Sequence, residues 1–331
     1  MKKVMNDPTV FVDESLAGIV AAHGDMLKFA DDPRALVRAD APKTGKVAIV
    51  TGGGYGHLPT FLGFVGEGFC DGVAVGNVFT SPSCDAILSA ARAADGGKGI
   101  LFLFGNYMGD TMNFEMASEI LEFEDIPCRI IKGSDDAASS PREDWQGRRG
   151  VAGIFFAYKI AGAMAETGAE LDEVCRVAEE AASRIATMGV AFSSCQLPGA
   201  AAPIFEIGDD EMEIGMGIHG EPGVERGKMK TSKEIAAELA EKVLADVSVQ
   251  AGDEIAVLVN GLGATSREEL YIFYNDVKQI LDAKNIKVAK VFVEEFATSM
   301  EMQGLSLTVF KLNEELKELL AKPAKTPFVR I

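Results

Sequence analysis

Short apolar runs punctuate the first 135 residues at Val47–Thr51, Gly72–Val75, Gly99–Phe104 and Cys128–Ile131. Runs this short, bounded by glycine and polar residues, predict strands buried on both faces of a parallel or mixed sheet. Helix-period stretches between them predict helices at 83–94 and 113–123. Gly150–Thr167 and Leu171–Met188 are the most regular helical patterns that follow. Leu171, Val174, Val177, Ala181, Ile185 and Met188 recur at helical spacing and make one apolar stripe.

From about residue 190 the pattern changes. Phe205–Ile207, Met212–Ile218, Ile255–Val259, Val288–Val293 and Leu305–Leu312 read as strands. Thr231 with Glu234, and Thr265 with Glu268, are capping-box signals that open two helices. Ile235, Leu239 and Val243 form the apolar face of the first. Leu270, Tyr274, Val277 and Leu281 form that of the second. A chain of 331 residues points to about two domains, and the end of the helical pattern at Met188-Gly189 places the boundary near 185–190.

Composition narrows the function classes. With 47% hydrophobic and 25% charged residues the chain can build ordinary cores. Its 32 basic against 50 acidic residues give a formal net charge of −18. Nucleic acid and anionic membranes are therefore disfavoured partners, the densest basic spot being Arg148-Arg149. The five cysteines lack C-x-x-C spacing and read as reduced thiols. Asp7 and Pro8 interrupt what would be the apolar part of a signal peptide. No run of about 18 apolar residues exists, so no transmembrane helix is expected, and the expected compartment is the cytoplasm. The long polar stretch Gly133–Gly150 carries the single tryptophan, Trp145. It reads either as a solvated surface loop or as a lid or partner-docking loop.

Two of the three histidines sit in glycine-rich turns after apparent strands: His57 in Thr51–Pro59 (TGGGYGHLP) and His219 in Gly215–Gly223 (GMGIHGEPG). Glycines admit positive φ and close approach of backbone to a ligand, and strand ends are where open α/β sheets place ligands. Asp110, in Gly105–Asp110 (GNYMGD), follows the strand Gly99–Phe104. It reads as a general base or orienter of an imidazole, or as the N-cap of the next helix. No phosphate-binding loop is present, and neither Gly52-x-Gly54 nor Gly261-x-Gly263 completes a dinucleotide fingerprint. No histidine pair has metal-ligand spacing, so no metal site is predicted. No G-x-S-x-G elbow is present either.

In this order, the three patches resemble the dihydroxyacetone kinase family, specifically its dihydroxyacetone-binding subunit. Gly217–Gly223 (GIHGEPG) is the most specific element. Gly52–His57, Gly76–Pro82 (GNVFTSP), Asn106–Phe114, Gly147–Gly153 (GRRGVAG), Asn260–Ala264 and Thr298–Lys311 extend the resemblance over nearly the whole chain. It implies an α/β fold of two α/β domains with mixed sheets flanked by helices. Residues 1–187 would carry the glycine-rich substrate loop and residues 188–331 the covalent histidine. His219 would bind the substrate carbonyl as a hemiaminal, and His57 and Asp110 would act on the hydroxyl that receives the phosphoryl group. Gly53, Gly54, Tyr55, Gly56 and Gly105 would line the substrate. The resemblance further implies a homodimer and no cofactor on this chain. ADP or ATP with Mg would sit on a separate helical subunit, which ATP or a phosphotransferase-system phosphocarrier would serve.

The sequence departs from the family pattern at the rim of the site. Tyr55 stands where a small residue is usual, Leu58 where glutamate is usual, and Thr60-Phe61 where an Ala-His pair is usual. Gly105 stands where a lysine is common. An altered pocket favouring a four-carbon ketose such as erythrulose is one expectation. The other has Tyr55 turned away with preference unchanged. A ligand sensor acting with a transcription factor, and a sugar-binding protein without turnover, are the rival readings to a kinase subunit.

Overall fold

The computed structural model describes residues 2–331. The apolar runs of the first part pair into one mixed six-stranded sheet. Its strands are β1 (Leu27–Phe29), β2 (Ala35–Arg38), β3 (Ala48–Tyr55), β4 (Gly72–Val78), β5 (Ile100–Gly105) and β6 (Cys128–Gly133), in the order β1-β2-β4-β3-β5-β6. The inner pairs β4/β3, β3/β5 and β5/β6 are parallel, and β1 and β2 add an antiparallel edge. Every residue of β3 and β5 is buried, which is why these strands show no polar alternation. The helices of this part are α1 (Phe11–His23), α2 (Cys84–Ala94), α3 (Met108–Glu122), α4 (Ile154–Ala165) and α5 (Leu171–Ser183). Ser83 caps α2, its hydroxyl accepting from Ala86 N. Phe155 and Tyr158 of α4 pack on Phe64 and Phe69 in an aromatic cluster.

The second sheet is also mixed and six-stranded. β7 (Ile185–Ala191), β8 (Glu211–Ile214), β9 (Glu225–Lys228), β10 (Glu254–Gly261), β11 (Lys287–Glu294) and β12 (Gly304–Lys311) run in the order β11-β10-β12-β7-β8-β9, with only β10/β11 parallel. Helices α6 (Ser232–Asp246) and α7 (Arg267–Ala283) lay the predicted apolar faces on it, Leu239 and Val243 of one and Leu270 and Val277 of the other entering a single core. The last helix, α8 (Glu314–Ala321), contributes the Leu319 carbonyl that accepts from the buried Lys159 Nζ at 2.8 Å. The α/β class with two mixed, helix-flanked sheets is as expected. Among the described residues no helix is long and apolar enough to cross a membrane.

The chain path departs from a single cut near residue 187, which falls inside β7. One compact unit comprises Lys2–Gly133, Phe155–Ala181 and Glu318–Ile331; the other comprises Ser134–Ile154 and Ala182–Lys317. The reason is that β7 pairs with β12, from far later in the chain, in the register Ile185↔Phe310 to Ala191↔Gly304. The same pairing ends the predicted helix Leu171–Met188 at Ser183 and converts Ile185 and Met188 into strand residues. Phe205–Ile207 lies outside any strand, and the strand expected over Met212–Ile218 stops at Ile214, where Gly215 turns the chain with φ +78°. The capping box at Thr231 and Glu234 forms. The second box forms one residue later, at Ser266 and Glu269, because the Thr265 hydroxyl is engaged with both the N–H and the carbonyl of Gly304.

A buried ion cluster holds the first sheet. Lys46 Nζ lies 2.6 and 2.5 Å from the two oxygens of Asp71, which also accepts from Arg38 at 3.2 Å and from Ile49 N at 2.9 Å. Arg38 in turn reaches Glu166 at 2.5 Å. Arg38, Lys46 and Asp71 are all buried, so removing one partner strands the charges of the others. Asp71→Ala is expected to lower unfolding free energy by about 3–5 kcal/mol, read as a shifted denaturant midpoint; a midpoint within error of wild type would contradict this role.

Candidate functional site

The glycine-rich loop of the first unit is continuous with β3, which runs through Gly52, Gly53 and Gly54 before the chain turns. Close packing requires these glycines: a Cβ on Gly53 would come within 2.0 Å of the Phe61 ring, and one on Gly54 within 2.7 Å of Thr80 N. Gly56 then turns the chain with φ +103° and delivers His57. The imidazole is fully buried and stacks on Phe79, ring centroids 4.8 Å apart and planes 13° from parallel. Phe79 itself holds a left-handed backbone, φ +58°, and its N–H donates to the Tyr55 carbonyl.

Asp110 lies in the first turn of α3. It is not the N-cap; that position is Tyr107, which makes no side-chain cap. Asp110 is buried, and its Oδ2 accepts from the Ser81 hydroxyl at 2.9 Å. Gly109 lets the helix close on the same serine, since a Cβ there would lie 2.6 Å from Ser81 Oγ. Asn113 completes the link by donating to the Pro82 carbonyl at 2.7 Å. The stretch from Phe79 to Pro82 therefore touches both His57 and the start of α3. His57 Nε2 and Asp110 Oδ1 are both buried polar atoms.

The remaining predicted residues of this unit divide. Gly105 ends β5, paired with Gly133 at the end of β6. Tyr55 turns to α1, where its hydroxyl shares a hydrogen bond with Ser15 and its ring meets Phe11 edge-on. Burial pushes its phenol up from the ordinary value. Its backbone belongs to the loop, but its hydroxyl is already engaged with Ser15.

In the second unit, β8 feeds the turn that carries His219. Gly217 N donates to the Glu221 carbonyl and Gly220 N to that of Gly217, and Ser299 donates to the Ile218 carbonyl at 2.5 Å. The Glu221 carboxylate curls back beneath the turn. It accepts from the His219 backbone N–H and meets His219 Nδ1, both at 3.0 Å. Burial opposes the charged carboxylate, but the hydrogen bond and charge of His219, aided by Arg149, hold Glu221 at about 2. An ionised carboxylate only accepts. The proton of the neutral ring must therefore sit on Nδ1, leaving the lone pair on Nε2. The side chain is 23% exposed, and Glu221 holds its Nδ1 edge.

The polar stretch Gly133–Gly150 is anchored to its own unit. Arg148 is buried and forks onto Asp246, with contacts at 2.7 and 3.1 Å, and Arg142 reaches the same carboxylate at 2.5 Å. Arg149 pairs with Asp136 at 2.8 Å. Arg148 and Arg149, the densest basic spot of the sequence, are thus engaged internally, while Trp145 stays half-exposed. Sequence reasoning also passed over Phe79, Ser81 and Glu221 as site residues. Glu221 could have been found, because a carboxylate two residues from a histidine across a glycine turn can fold back on it. Phe79 and Ser81 carry no comparable signal.

With its folded value held at about 2 against an ordinary 4.5, Glu221 contributes stability that is fully present above pH 4.5 and lost as pH falls through 2. Glu221→Gln is expected to be less stable than wild type at neutral pH. The gap should close as pH drops from 4.5 toward 2, as read by denaturant titrations across that range; a gap independent of pH would refute the assignment.

Comparison with known proteins identifies the family. The Dak1 domain family matches residues 17–328. The chain is 44% identical to the L-erythrulose kinase of Pectobacterium atrosepticum over 334 aligned residues, which is 100% of this chain but 56% of that protein. It is 43% identical to the dihydroxyacetone-binding subunit of a PTS-dependent dihydroxyacetone kinase from Listeria innocua, covering 95% of both. The crystal structure of the dihydroxyacetone kinase of C. freundii superposes with a TM-score of 0.90 at 32% identity, over 98% of this chain and 59% of that one. The chain thus spans little more than half of the two longer kinases and nearly all of the Listeria subunit. With a family match over most of its length and the family's motifs in order, the chain belongs to the Dak1 domain family, within the dihydroxyacetone kinases that its sequence resembles.

Proposed function

We propose that this chain is the substrate-binding part of a kinase for a short ketose, dihydroxyacetone or erythrulose. It holds the ketose covalently on His219 and offers a hydroxyl for phosphorylation. The observation that carries the reading is the bond between His219 Nδ1 and an ionised Glu221 at 3.0 Å. It leaves Nε2 as a nucleophile toward a small carbonyl. As Nε2 bonds to the carbonyl carbon, the C=O π pair moves to oxygen. The alkoxide oxygen takes one proton from solvent while the Nδ1 proton of the imidazolium passes by way of Glu221 to solvent, so the protons balance and a neutral hemiaminal forms with no leaving group.

A covalent anchor suits a ligand this small, since non-covalent contacts supply at most about 1.5 kcal/mol per heavy atom. It also separates ketoses from glycerol, which has no carbonyl. His57 and Asp110 keep the role the resemblance gives them: taking the proton of the accepting hydroxyl and orienting it. Phosphoryl transfer asks for positioning more than covalent work from the protein. The phosphoryl donor, ATP or ADP recharged by a phosphotransferase-system phosphocarrier, belongs with Mg on a separate helical subunit or domain. The absence of a phosphate-binding loop from this sequence fits that division. A homodimer completes the proposed assembly.

Carbon-13 NMR with carbonyl-labelled dihydroxyacetone should give a bound tetrahedral carbon in the wild type and none in His219→Ala; retention of that signal in the variant would overturn the adduct. With the nucleotide-bearing subunit supplied, Asp110→Asn or His57→Ala should reduce kcat by about 10²–10⁴-fold while leaving the labelled adduct in place. Full turnover by Asp110→Asn would assign that aspartate to packing alone.

A further inference from the structure

Arg149 holds the His219 turn at both of its ends. Its Nη2 donates to the Gly215 carbonyl at 2.9 Å, where β8 gives way to the turn. Its Nη1 stands 3.9 Å from Glu221 Oε2, the carboxylate oxygen that accepts the His219 backbone N–H. Between these ends Gly217 leaves no room for a side chain: a Cβ there would lie 2.1 Å from Glu221 Oε2 and 2.6 Å from Arg149 Nη1. The guanidinium and the carboxylate are thus packed together over a bare stretch of backbone.

The arginine is itself tightly placed. Its Nε and Nη2 both meet Asp136 Oδ2, at 2.8 and 2.7 Å. Its backbone N–H donates to the Ser139 hydroxyl at 3.1 Å, and its carbonyl accepts from Asp136 N at 3.1 Å. Asp136 is buried and bridges to Thr187 in the middle of β7. An unbroken series of contacts therefore runs from the central strands of the sheet through Asp136 and Arg149 to Glu221 and His219. A guanidinium suits this place because its planar fork fixes direction as well as charge, which an ammonium does not.

We infer that Arg149, oriented by Asp136, is a positioning residue that keeps Glu221 against Nδ1 of His219 and so fixes the nucleophilic nitrogen. The inference rests on the proposed role of His219 for its consequence in binding, but the tautomer can be read without any ligand. Neither Arg149 nor Asp136 touches the reacting atoms. Their effect passes through the carboxylate, as the outer partners of histidine ligands act on metal sites.

The test is nitrogen-15 NMR of the His219 ring in the ligand-free chain, followed by titration with carbonyl-labelled dihydroxyacetone. Wild type should show a proton on Nδ1. Arg149→Gln should shift the ring toward a mixture of tautomers and weaken dihydroxyacetone binding by about 10-fold, and Arg149→Lys should recover part of both. A wild-type tautomer together with wild-type affinity in Arg149→Gln would overturn the inference. If that variant does not fold, Arg149→Lys and the isosteric Asp136→Asn carry the test. An intermediate tautomer mixture in either supports the role, and an unchanged Nδ1 proton in both overturns it. Failure of the wild type itself to form an adduct would defeat the ketose reading alone, since the ligand-free spectra would still decide the role of Arg149.

Discussion

The hydrogen bond between Glu221 and His219 Nδ1 is the contact on which the chemistry proposed for the second unit depends. A histidine on a flexible turn exchanges tautomers and samples orientations, and neither nitrogen is reserved for reaction. Here the carboxylate is kept ionised although partly buried, because the imidazole and a guanidinium both face it. Since that carboxylate accepts twice within one turn, from the ring and from the backbone N–H of the same residue, ring and backbone are fixed together. The glycines around it follow from that demand. Gly217 leaves space for the returning carboxylate, and Gly220 takes the positive φ the turn requires where a Cβ would strike Ile204.

The first unit reaches a comparable rigidity by different means. Its parallel strands are buried on both faces, and the glycines of β3 let Phe61 and the stretch after β4 approach the backbone directly. His57 is then fixed by stacking, and Asp110 by a serine from the same stretch that carries Phe79. Such a scaffold suits the proton-transfer role proposed for them, because small displacements of a catalytic group are costly to rate. Each of the two compact units thus holds one histidine on glycine-rich backbone at a strand end.

Much of this was legible in the residues. The runs at 47–51, 99–104, 255–259 and 305–312 are strands because an apolar run too short for a helix has few other ways to be buried. The capping box at Thr231 works as written, because N-cap and partner lie within one turn. His57 and His219 stood out because glycine-rich turns are costly in entropy and persist where backbone must come close to something. The family motifs then joined these points into one assignment.

What the sequence determined, then, was what local rules govern: which segments are apolar enough for strands, where helices start, and which scarce residues sit in unusual turns. The tertiary structure decided whatever depends on a partner distant in the chain. β12 made Ile185–Met188 a strand and moved the domain division, and Gly304 took the Thr265 hydroxyl and shifted a cap by one residue. Ser15 turned the Tyr55 hydroxyl to α1, and Asp246 and Asp136 engaged the arginines of the polar stretch. In each case two residues of ordinary propensity are joined by a contact whose energy appears only once the chain has folded, so neither one carries the information alone.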